Sequence, residues 1–219
     1  MTYQHRDLAG RPLHLPVGKI VCVGRNYLEH IRELNNAVPE TPILFMKPAT
    51  ALVGLDQPIQ LPRGRGECQH EIELAVLIGR ELRQADAATA RQAVAGYGVA
   101  LDLTLRDLQN ELKKKGHPWE IAKAFDGSCP LSPFLVPEAL PDPQAAELAL
   151  RANGELRQQG NTRLMMVGIF ELMAYISTHF TLRPGDVVLT GTPAGVGPLR
   201  SGDVLVLSLA GHDFTARVV

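Results

Sequence analysis

The segment HEIELAVLIG, residues 70–79, places two glutamates inside an otherwise apolar run. Alternate residues of a strand face opposite sides, so an extended segment puts Glu71 and Glu73 side by side on one face. That face continues into Ala75 and Leu77, which predicts a carboxylate pair at the mouth of a buried surface. The alternative is a half-buried strand that turns its polar face to solvent, since glutamate is mostly exposed in proteins.

Asp102, in GYGVALDLTL, is a third carboxylate in apolar surroundings. An aspartate before a helix is often its N-cap, but the helix predicted over 104–115 has Thr104 and Asp107 at a spacing like that of a capping box. Capping therefore does not require Asp102. Three carboxylates without a His or Cys cluster favour a hard cation, Mg²⁺ or Mn²⁺, and leave about three of six octahedral positions for water and substrate.

Lys123, in PWEIAKAF, is flanked by two alanines. A solvated lysine is the usual case. If the side chain points inward instead, its charge would offset part of the negative charge of the three carboxylates and would attract an anionic substrate.

His30 and Glu33 lie three residues apart in a helix predicted over 26–35, so they share a helix face. The carboxylate could hold one imidazole nitrogen while the other nitrogen transfers a proton to or from a substrate. A solvated pair on a polar helix face is the alternative.

A glycine-rich loop, LTGTPAGVGPL at 189–199, follows a predicted strand. It lacks the Lys-Ser/Thr ending of a phosphate-binding loop, so nucleotide binding is not favoured. Its backbone N–H groups and the Thr192 hydroxyl could hold a small carboxylate. A plain turn is an equal alternative.

Composition places the chain among ordinary globular proteins. It has 219 residues, a net charge of −1 and 45% hydrophobic residues, which suits one domain and argues against nucleic acid or an anionic membrane as a partner. The three cysteines show no paired spacing, and the sequence contains neither a signal-peptide pattern nor an apolar run long enough to span a membrane. We therefore expect a cytoplasmic protein that acts on a small molecule.

Short apolar runs separated by Gly and Pro predict an α+β fold rich in strands. The sequence Asn153-Gly154 between alternating segments predicts a tight β-hairpin. The predicted strands are residues 19–24, 43–46, 71–79, 96–103, 186–191 and 203–209, and the predicted helices are residues 26–35, 86–94, 104–115 and 167–178.

Several linked motifs in one order resemble the fumarylacetoacetate hydrolase superfamily, specifically its small single-domain acylpyruvase and oxaloacetate decarboxylase members. The motifs are GRNYLEHIRE at 24–33, FMKP at 45–48, EIE at 71–73, LDLTLRDLQ at 101–109, WEIAKAFD at 119–126 and GDVVLTGTPAGVGP at 185–198. The resemblance runs from about residue 19 to the end. It implies a mixed β-roll, a homodimer, and a single catalytic domain over 1–219 in which residues 1–18 are an N-terminal extension.

The same resemblance assigns roles to residues. It implies that Glu71, Glu73 and Asp102 bind Mg²⁺ or Mn²⁺ and that His30, Glu33 and Lys123 are catalytic. Substrate-binding residues are expected among the matching segments, and these are Arg25, Lys47, Arg106, Gln109 and Thr192. Arg106 and Gln109 lie three apart on a predicted helix and could face the substrate together, or form a surface pair.

The function implied is metal-dependent hydrolysis of a C–C bond in acylpyruvate-type 2-oxo acids, such as acetylpyruvate or fumarylpyruvate, to pyruvate and a carboxylic acid. The same site could decarboxylate oxaloacetate or exchange its keto and enol forms. One alternative is an isomerase or decarboxylase of the dienoic 2-oxo diacids of aromatic degradation. An alternative of another class is a non-enzymatic sheet protein that binds a structural Ca²⁺ ion.

Overall fold

The structure is a computed structural model that describes residues 3–219. In chain order, its strands are β1 (Ile20–Gly24), β2 (Ile43–Lys47), β3 (Leu52–Gly54), β4 (Cys68–His70), β5 (Ile72–Ile78), β6 (Val94–Leu101), β7 (Thr104–Leu105), β8 (Cys129–Leu131), β9 (Glu147–Ala152), β10 (Glu155–Asn161), β11 (Val187–Leu189), β12 (Gly197–Pro198), β13 (Val204–Leu209) and β14 (His212–Arg217). Its α-helices are α1 (Leu28–Glu33), α2 (Ala87–Gln92), α3 (Arg106–Lys115), α4 (Glu120–Lys123) and α5 (Ile169–His179).

The strands form three sheets. The largest has seven strands in the order β2-β1-β11-β5-β6-β8-β3, with parallel pairing of β1 to β11 and of β3 to β8 and antiparallel pairing elsewhere. A four-stranded sheet has the order β10-β9-β13-β14, and a small three-stranded sheet has the order β12-β4-β7. Mixed sheets with few, short helices confirm the α+β prediction.

Strand β5 lies at the centre of the largest sheet and is buried on both faces. Ile72 and Leu74 belong to a large core that also contains buried residues of the four-stranded sheet, α2 and α5. Ala75 and Leu77 belong to a second, smaller core. Glu71 therefore lies just before β5 and Glu73 lies within it, and this strand has no solvent-facing side. The alternative of a half-exposed strand is wrong.

The N-terminal residues before β1 pack on the second core. Tyr3, Leu13, Leu15 and Val17 are partly buried against it. His5 Nε2 lies 3.0 Å from the carbonyl oxygen of Gly185. Within residues 3–219, none of the helices is long and apolar enough to cross a membrane.

Most predicted elements are present with shorter bounds. The predicted hairpin joins β9 to β10, with Asn153 and Gly154 both at positive φ, 53° and 84°. Helix α2 begins after Asp86, whose side chain accepts a hydrogen bond from the Thr89 N–H at 2.7 Å. Helix α4, four residues long, was not expected from the sequence.

The predicted cap of α3 is wrong. Thr104 lies in β7, where it pairs with Gln69, and its hydroxyl donates to the Asp102 carbonyl oxygen at 3.0 Å. The helix begins at Arg106 without a side-chain cap and ends before Gly116, which has φ +67°. The conclusion drawn from that cap still holds, because the Asp102 carboxylate takes part in ion pairs rather than capping.

Candidate active site

The pairing of two central strands brings the three carboxylates together. Strands β5 and β6 are antiparallel, with Ile72 opposite Leu101, and the Asp102 N–H donates to the Glu71 carbonyl oxygen at 2.8 Å. Each of Glu71, Glu73 and Asp102 is at most 4% exposed. One carboxylate oxygen from each lies within 4.8 Å of the others, which is close enough for a single cation to contact all three.

Two of these carboxylates have cationic partners. Lys123 Nζ donates to Glu71 Oε2 at 2.8 Å and to Asp102 Oδ2 at 2.6 Å. Arg106 binds the other oxygen of Glu71, and Lys47 Nζ lies 2.8 Å from Asp102 Oδ1. Lys123 is only 2% exposed, so its side chain points inward.

These contacts shift the protonation equilibria of the paired groups. Burial opposes the ionisation of Glu71, but Lys123 and Arg106 outweigh it and hold the pKa of this carboxyl below its usual range. Burial likewise opposes the charge on Lys123, whereas Asp102 and Glu71 raise its pKa above the ordinary value. Both groups are therefore charged at neutral pH.

Glu73 has no cationic side chain within ion-pair distance among residues 3–219. Its Oε2 accepts the Gly191 N–H at 2.6 Å, while burial and the nearby charges of Asp102 and Glu71 raise its pKa well above the usual value. Asp102 Oδ1 likewise lacks an aligned hydrogen-bond donor, because its contact with Lys47 is an ion pair without hydrogen-bond geometry. An all-oxygen donor set in which Glu73 lacks a cationic partner and Asp102 Oδ1 lacks a hydrogen-bond donor fits a hard divalent cation.

The glycine-rich loop is held against this site by close packing. Gly191 has φ +95°, and a Cβ there would lie 2.7 Å from the Asn26 Cβ. Asn26 donates to the carbonyl oxygens of Val167 and Thr190 at 3.0 and 2.9 Å. Glycine is therefore required for the backbone that presents its N–H to Glu73.

His30 and Glu33 form a pair on α1. Glu33 Oε2 lies 3.2 Å from His30 Nδ1, and Glu33 Oε1 accepts the Gly195 N–H at 2.9 Å. The imidazole is 5% exposed, and burial lowers its pKa despite the opposing effects of Glu71 and Glu33. A neutral imidazole held by a carboxylate can act as a base through its free Nε2.

Of the residues expected to bind substrate, Arg25, Arg106, Gln109 and Thr192 line the cleft beside the triad, whereas Lys47 does not. Arg106 and Gln109 are buried and bonded to each other at 2.7 Å, so they are not a surface pair. Lys47 is fully buried behind the site, where it donates to the Ser128 carbonyl oxygen at 3.0 Å and to the Lys123 carbonyl oxygen. Lys47 was expected to line the pocket, but it does not line the cleft and instead contacts the Asp102 carboxylate and the Lys123 backbone.

The remaining residues line one cleft. Arg25 and Thr192 line it together with His30, Lys123 and the three carboxylates. Among the residues matched from the sequence, only Lys47 and Glu33 do not line it. Additional lining residues are Val23, Gly24, Leu34, Asn36, Phe45, Lys113 and Trp119.

Sequence reasoning missed Lys113, Gln158 and His70. Lys113 follows Arg106 and Gln109 at helical spacing, so extending that face by one turn would have found it. Gln158 accepts the Ile72 N–H at 3.0 Å and donates to Thr192 Oγ1 at 2.8 Å. His70 Nδ1 lies 2.8 Å from the same Gln158 oxygen, and no sequence pattern signals this buried network.

The family model for the C-terminal part of fumarylacetoacetate (FAA) hydrolase matches residues 19–219. The chain belongs to the fumarylacetoacetate hydrolase family. It is 58% identical over 218 residues to an oxaloacetate tautomerase of Escherichia coli strain K12, a match that covers 99% of this chain and 100% of the relative.

Two solved structures of this family are similar over nearly the whole chain. A fumarylacetoacetate hydrolase family protein from Yersinia pestis CO92 has a TM-score of 0.98 and 55% identity, covering 99% of this chain and 100% of that one. Fumarylpyruvate hydrolase from Pseudomonas aeruginosa, solved in complex with Mn²⁺ and pyruvate, has a TM-score of 0.92 and 36% identity, covering 100% and 97%. The tautomerase and the fumarylpyruvate hydrolase are enzymes, and the non-enzymatic Ca²⁺-binding alternative has no support.

Proposed function

We propose that this protein is an oxaloacetate tautomerase that depends on Mg²⁺ or Mn²⁺ held by Glu71, Glu73 and Asp102. The observation that carries the proposal is that the His30 imidazole, held by Glu33, lines the same cleft as the buried acidic triad. The 58% identity to the tautomerase of Escherichia coli favours this reaction over the acylpyruvate hydrolysis that the sequence motifs favoured.

His30 moves the proton in this proposal. Its Nδ1 proton is bound by Glu33, so Nε2 is free to take a proton from C3 of the keto form. The electron pair of the C3–H bond forms the C2–C3 double bond while the π pair of the C2 carbonyl moves onto its oxygen. That oxygen then takes the proton from the His30 imidazolium and becomes the enol hydroxyl. Glu33 keeps the imidazole oriented and stabilises the imidazolium that exists between the two proton transfers.

Lys123 supplies positive charge where the C2 oxygen becomes negative. Its ammonium group has three N–H donors, and Glu71 and Asp102 take two of them. The third is available to a substrate oxygen in the cleft that Lys123 lines. A divalent cation on the triad would add Lewis-acid polarisation of the substrate oxygens.

The proposal is tested by following keto–enol conversion of oxaloacetate spectroscopically in the presence of Mg²⁺. We expect His30→Ala to lower kcat by about 10²–10⁴-fold, the usual contribution of a general acid–base residue. The exposed His117→Ala serves as the matched control and should retain wild-type kcat. Retention of wild-type turnover by His30→Ala would rule out the base assignment.

Acylpyruvate hydrolysis is the second candidate, favoured by the similarity to fumarylpyruvate hydrolase. In that reaction His30 would activate a water molecule that attacks the distal carbonyl carbon. Measuring pyruvate release from acetylpyruvate, fumarylpyruvate and oxaloacetate separates hydrolysis and decarboxylation from tautomerisation, which releases no pyruvate. Including a dienoic 2-oxo diacid tests the isomerase or decarboxylase alternative in the same panel.

A further inference from the structure

Two cations in the cleft have no role in holding the acidic triad. Arg106 and Lys123 are ion-paired with Glu71, whereas Arg25 and Lys113 have no carboxylate within 4 Å in the part of the chain from residue 3 to 219. Both line the cleft, and both are half-buried rather than solvated. Desolvated cations without an anionic partner are costly, which points to an anion that is supplied from outside the chain.

Their positions are defined by the backbone. Lys113 lies on the face of α3 that carries Arg106 and Gln109, at spacings of seven and four residues. Arg25 has φ +63°, an unusual conformation for a residue with a side chain. Its guanidinium donates to Asn36 Oδ1 at 3.2 Å and to the Ala37 carbonyl oxygen at 3.3 Å, and both acceptors are neutral.

The two cations also lie close enough to affect each other. Partial burial, and then repulsion by Arg106 and Arg25, lower the pKa of Lys113 to about 8. An anion bound between these groups would relieve that repulsion. Four cationic side chains line the cleft against three carboxylates, so the lining has a positive excess before any metal ion binds.

We propose that Arg25 and Lys113 bind the second carboxylate of a dicarboxylic 2-oxo acid and make the enzyme selective for such diacids. This selectivity rests on the proposed function, because it assumes that the reacting end of the substrate lies at the acidic triad. A monocarboxylic 2-oxo acid would leave the two cations without a partner, so the site would bind it more weakly.

The test compares two 2-oxo acids of equal chain length on the Mg²⁺-loaded enzyme. Oxaloacetate has a second carboxylate where 2-oxobutyrate has a methyl group. Binding of each is measured by calorimetry for the wild type and for Arg25→Met and Lys113→Met, and KM is measured for oxaloacetate. The matched control is Lys114→Met, which removes an exposed charge from the same helix.

We expect each cleft variant to weaken oxaloacetate binding by about 10-fold or more, the effect of losing one hydrogen bond to a charged group. Binding of 2-oxobutyrate should change less than about 3-fold, and Lys113→Arg should retain most of the wild-type preference. Equal weakening of both ligands, or no weakening of either, would overturn the proposal. If the wild type binds both acids but does not tautomerise oxaloacetate, the proposed function fails while the binding ratio still decides this inference.

Discussion

Glu73 is the carboxyl group of the triad that the protein stabilises least in its ionised form. Its partner is a backbone N–H, whereas Glu71 and Asp102 have lysine and arginine partners. Replacing this carboxyl with an amide should stabilise the metal-free protein and remove one of the three proposed cation ligands. Both effects of this position, on the free energy of unfolding and on cation binding, can therefore be measured with one variant.

We expect Glu73→Gln to raise the metal-free free energy of unfolding at neutral pH by about 1 kcal/mol, because burial and the neighbouring Asp102 and Glu71 raise the pKa of this carboxyl and that shift opposes folding. The wild type should gain about 2.7 kcal/mol when Mg²⁺ is present at 100 times its Kd, and the variant should gain almost nothing. Urea unfolding with Mg²⁺ and with a chelator measures both effects. Glu81→Gln, at an exposed position, should behave as the wild type; undiminished Mg²⁺ stabilisation of Glu73→Gln would exclude this carboxylate as a ligand.

The pKa of Lys113 predicts that kcat/KM for oxaloacetate depends on pH above neutrality. The pKa of this ammonium is about 8, lowered by partial burial and by Arg106 and Arg25, while Glu71 opposes the shift and Lys123 adds to it. The group is charged below that pH and loses its charge as the pH rises through it. Because kcat/KM reports the free enzyme, kcat/KM for oxaloacetate should fall above about pH 8.

The same profile for Lys113→Arg should lack this fall, since arginine stays protonated throughout the range. The measurement is kcat/KM for oxaloacetate from pH 6 to about 9.5 at saturating Mg²⁺. An unchanged alkaline limb in the arginine variant would assign the titration to another group.

At the scale of elements, the β9–β10 hairpin reaches the site through one residue. The pairing of β10 with β9 shifts register between Leu156 and Gln158, so Leu156 is 46% exposed while Gln158 is 1% exposed. Gln158 Oε1 must accept from the Ile72 N–H, which fixes the amide orientation. Its Nε2 then donates to Thr192 Oγ1. The Thr192 hydroxyl itself donates to the Pro193 carbonyl oxygen over a long 3.4 Å, a weak contact that it can exchange for an acceptor in the cleft that Thr192 lines.

Gln158→Glu is therefore expected to raise KM for oxaloacetate about 10-fold with a smaller change in kcat. An ionised carboxylate cannot donate, so the Thr192 hydroxyl would turn to donate to it and would no longer serve the substrate. Thr192→Val should have a similar effect, and the double variant should show no further loss. The exposed Gln159→Glu is the control; additive losses in the double variant would show that the two residues act separately.

The elements that sequence predicted well are those with local causes. The hairpin at Asn153 and Gly154 depends on two positive φ angles that these residues tolerate, and the apolar runs of β5 and β6 require burial. The start of α3 was mispredicted because Thr104 pairs with Gln69, a contact between distant segments. Register shifts such as the one at Gln158 also depend on the partner strand.

In the candidate site, too, the residues with a local signal were predicted from the sequence, and those that depend on tertiary packing were not. Glu71, Glu73, Asp102 and Lys123 stood out because each is charged within an apolar segment, and the structure brings them together. Lys113 did not stand out, since a run of three lysines at a helix end is typical of a solvated face. Only the position of α3 against the cleft distinguishes it from Lys114.

For the whole molecule, the α+β class followed from pattern, but the strand order did not. The central sheet places β11 between β1 and β5, and the β1–β11 pairing joins Ile20 to Val187, which are 167 positions apart. Pairings of that separation leave no local trace in a sequence. The homodimer implied by the family resemblance stays a prediction.

The position of β5 at the centre of a sheet buried on both faces has a consequence for how the site opens. Central strands open only in near-global unfolding, whereas a six-residue helix with two buried side chains can detach at much lower cost. The proposed cation ligands are thus expected in the slowest-exchanging part of the protein, and the proposed base His30 in a faster-exchanging one. Cation retention and proton transfer can then respond to temperature independently, with catalysis fading before the cation is released.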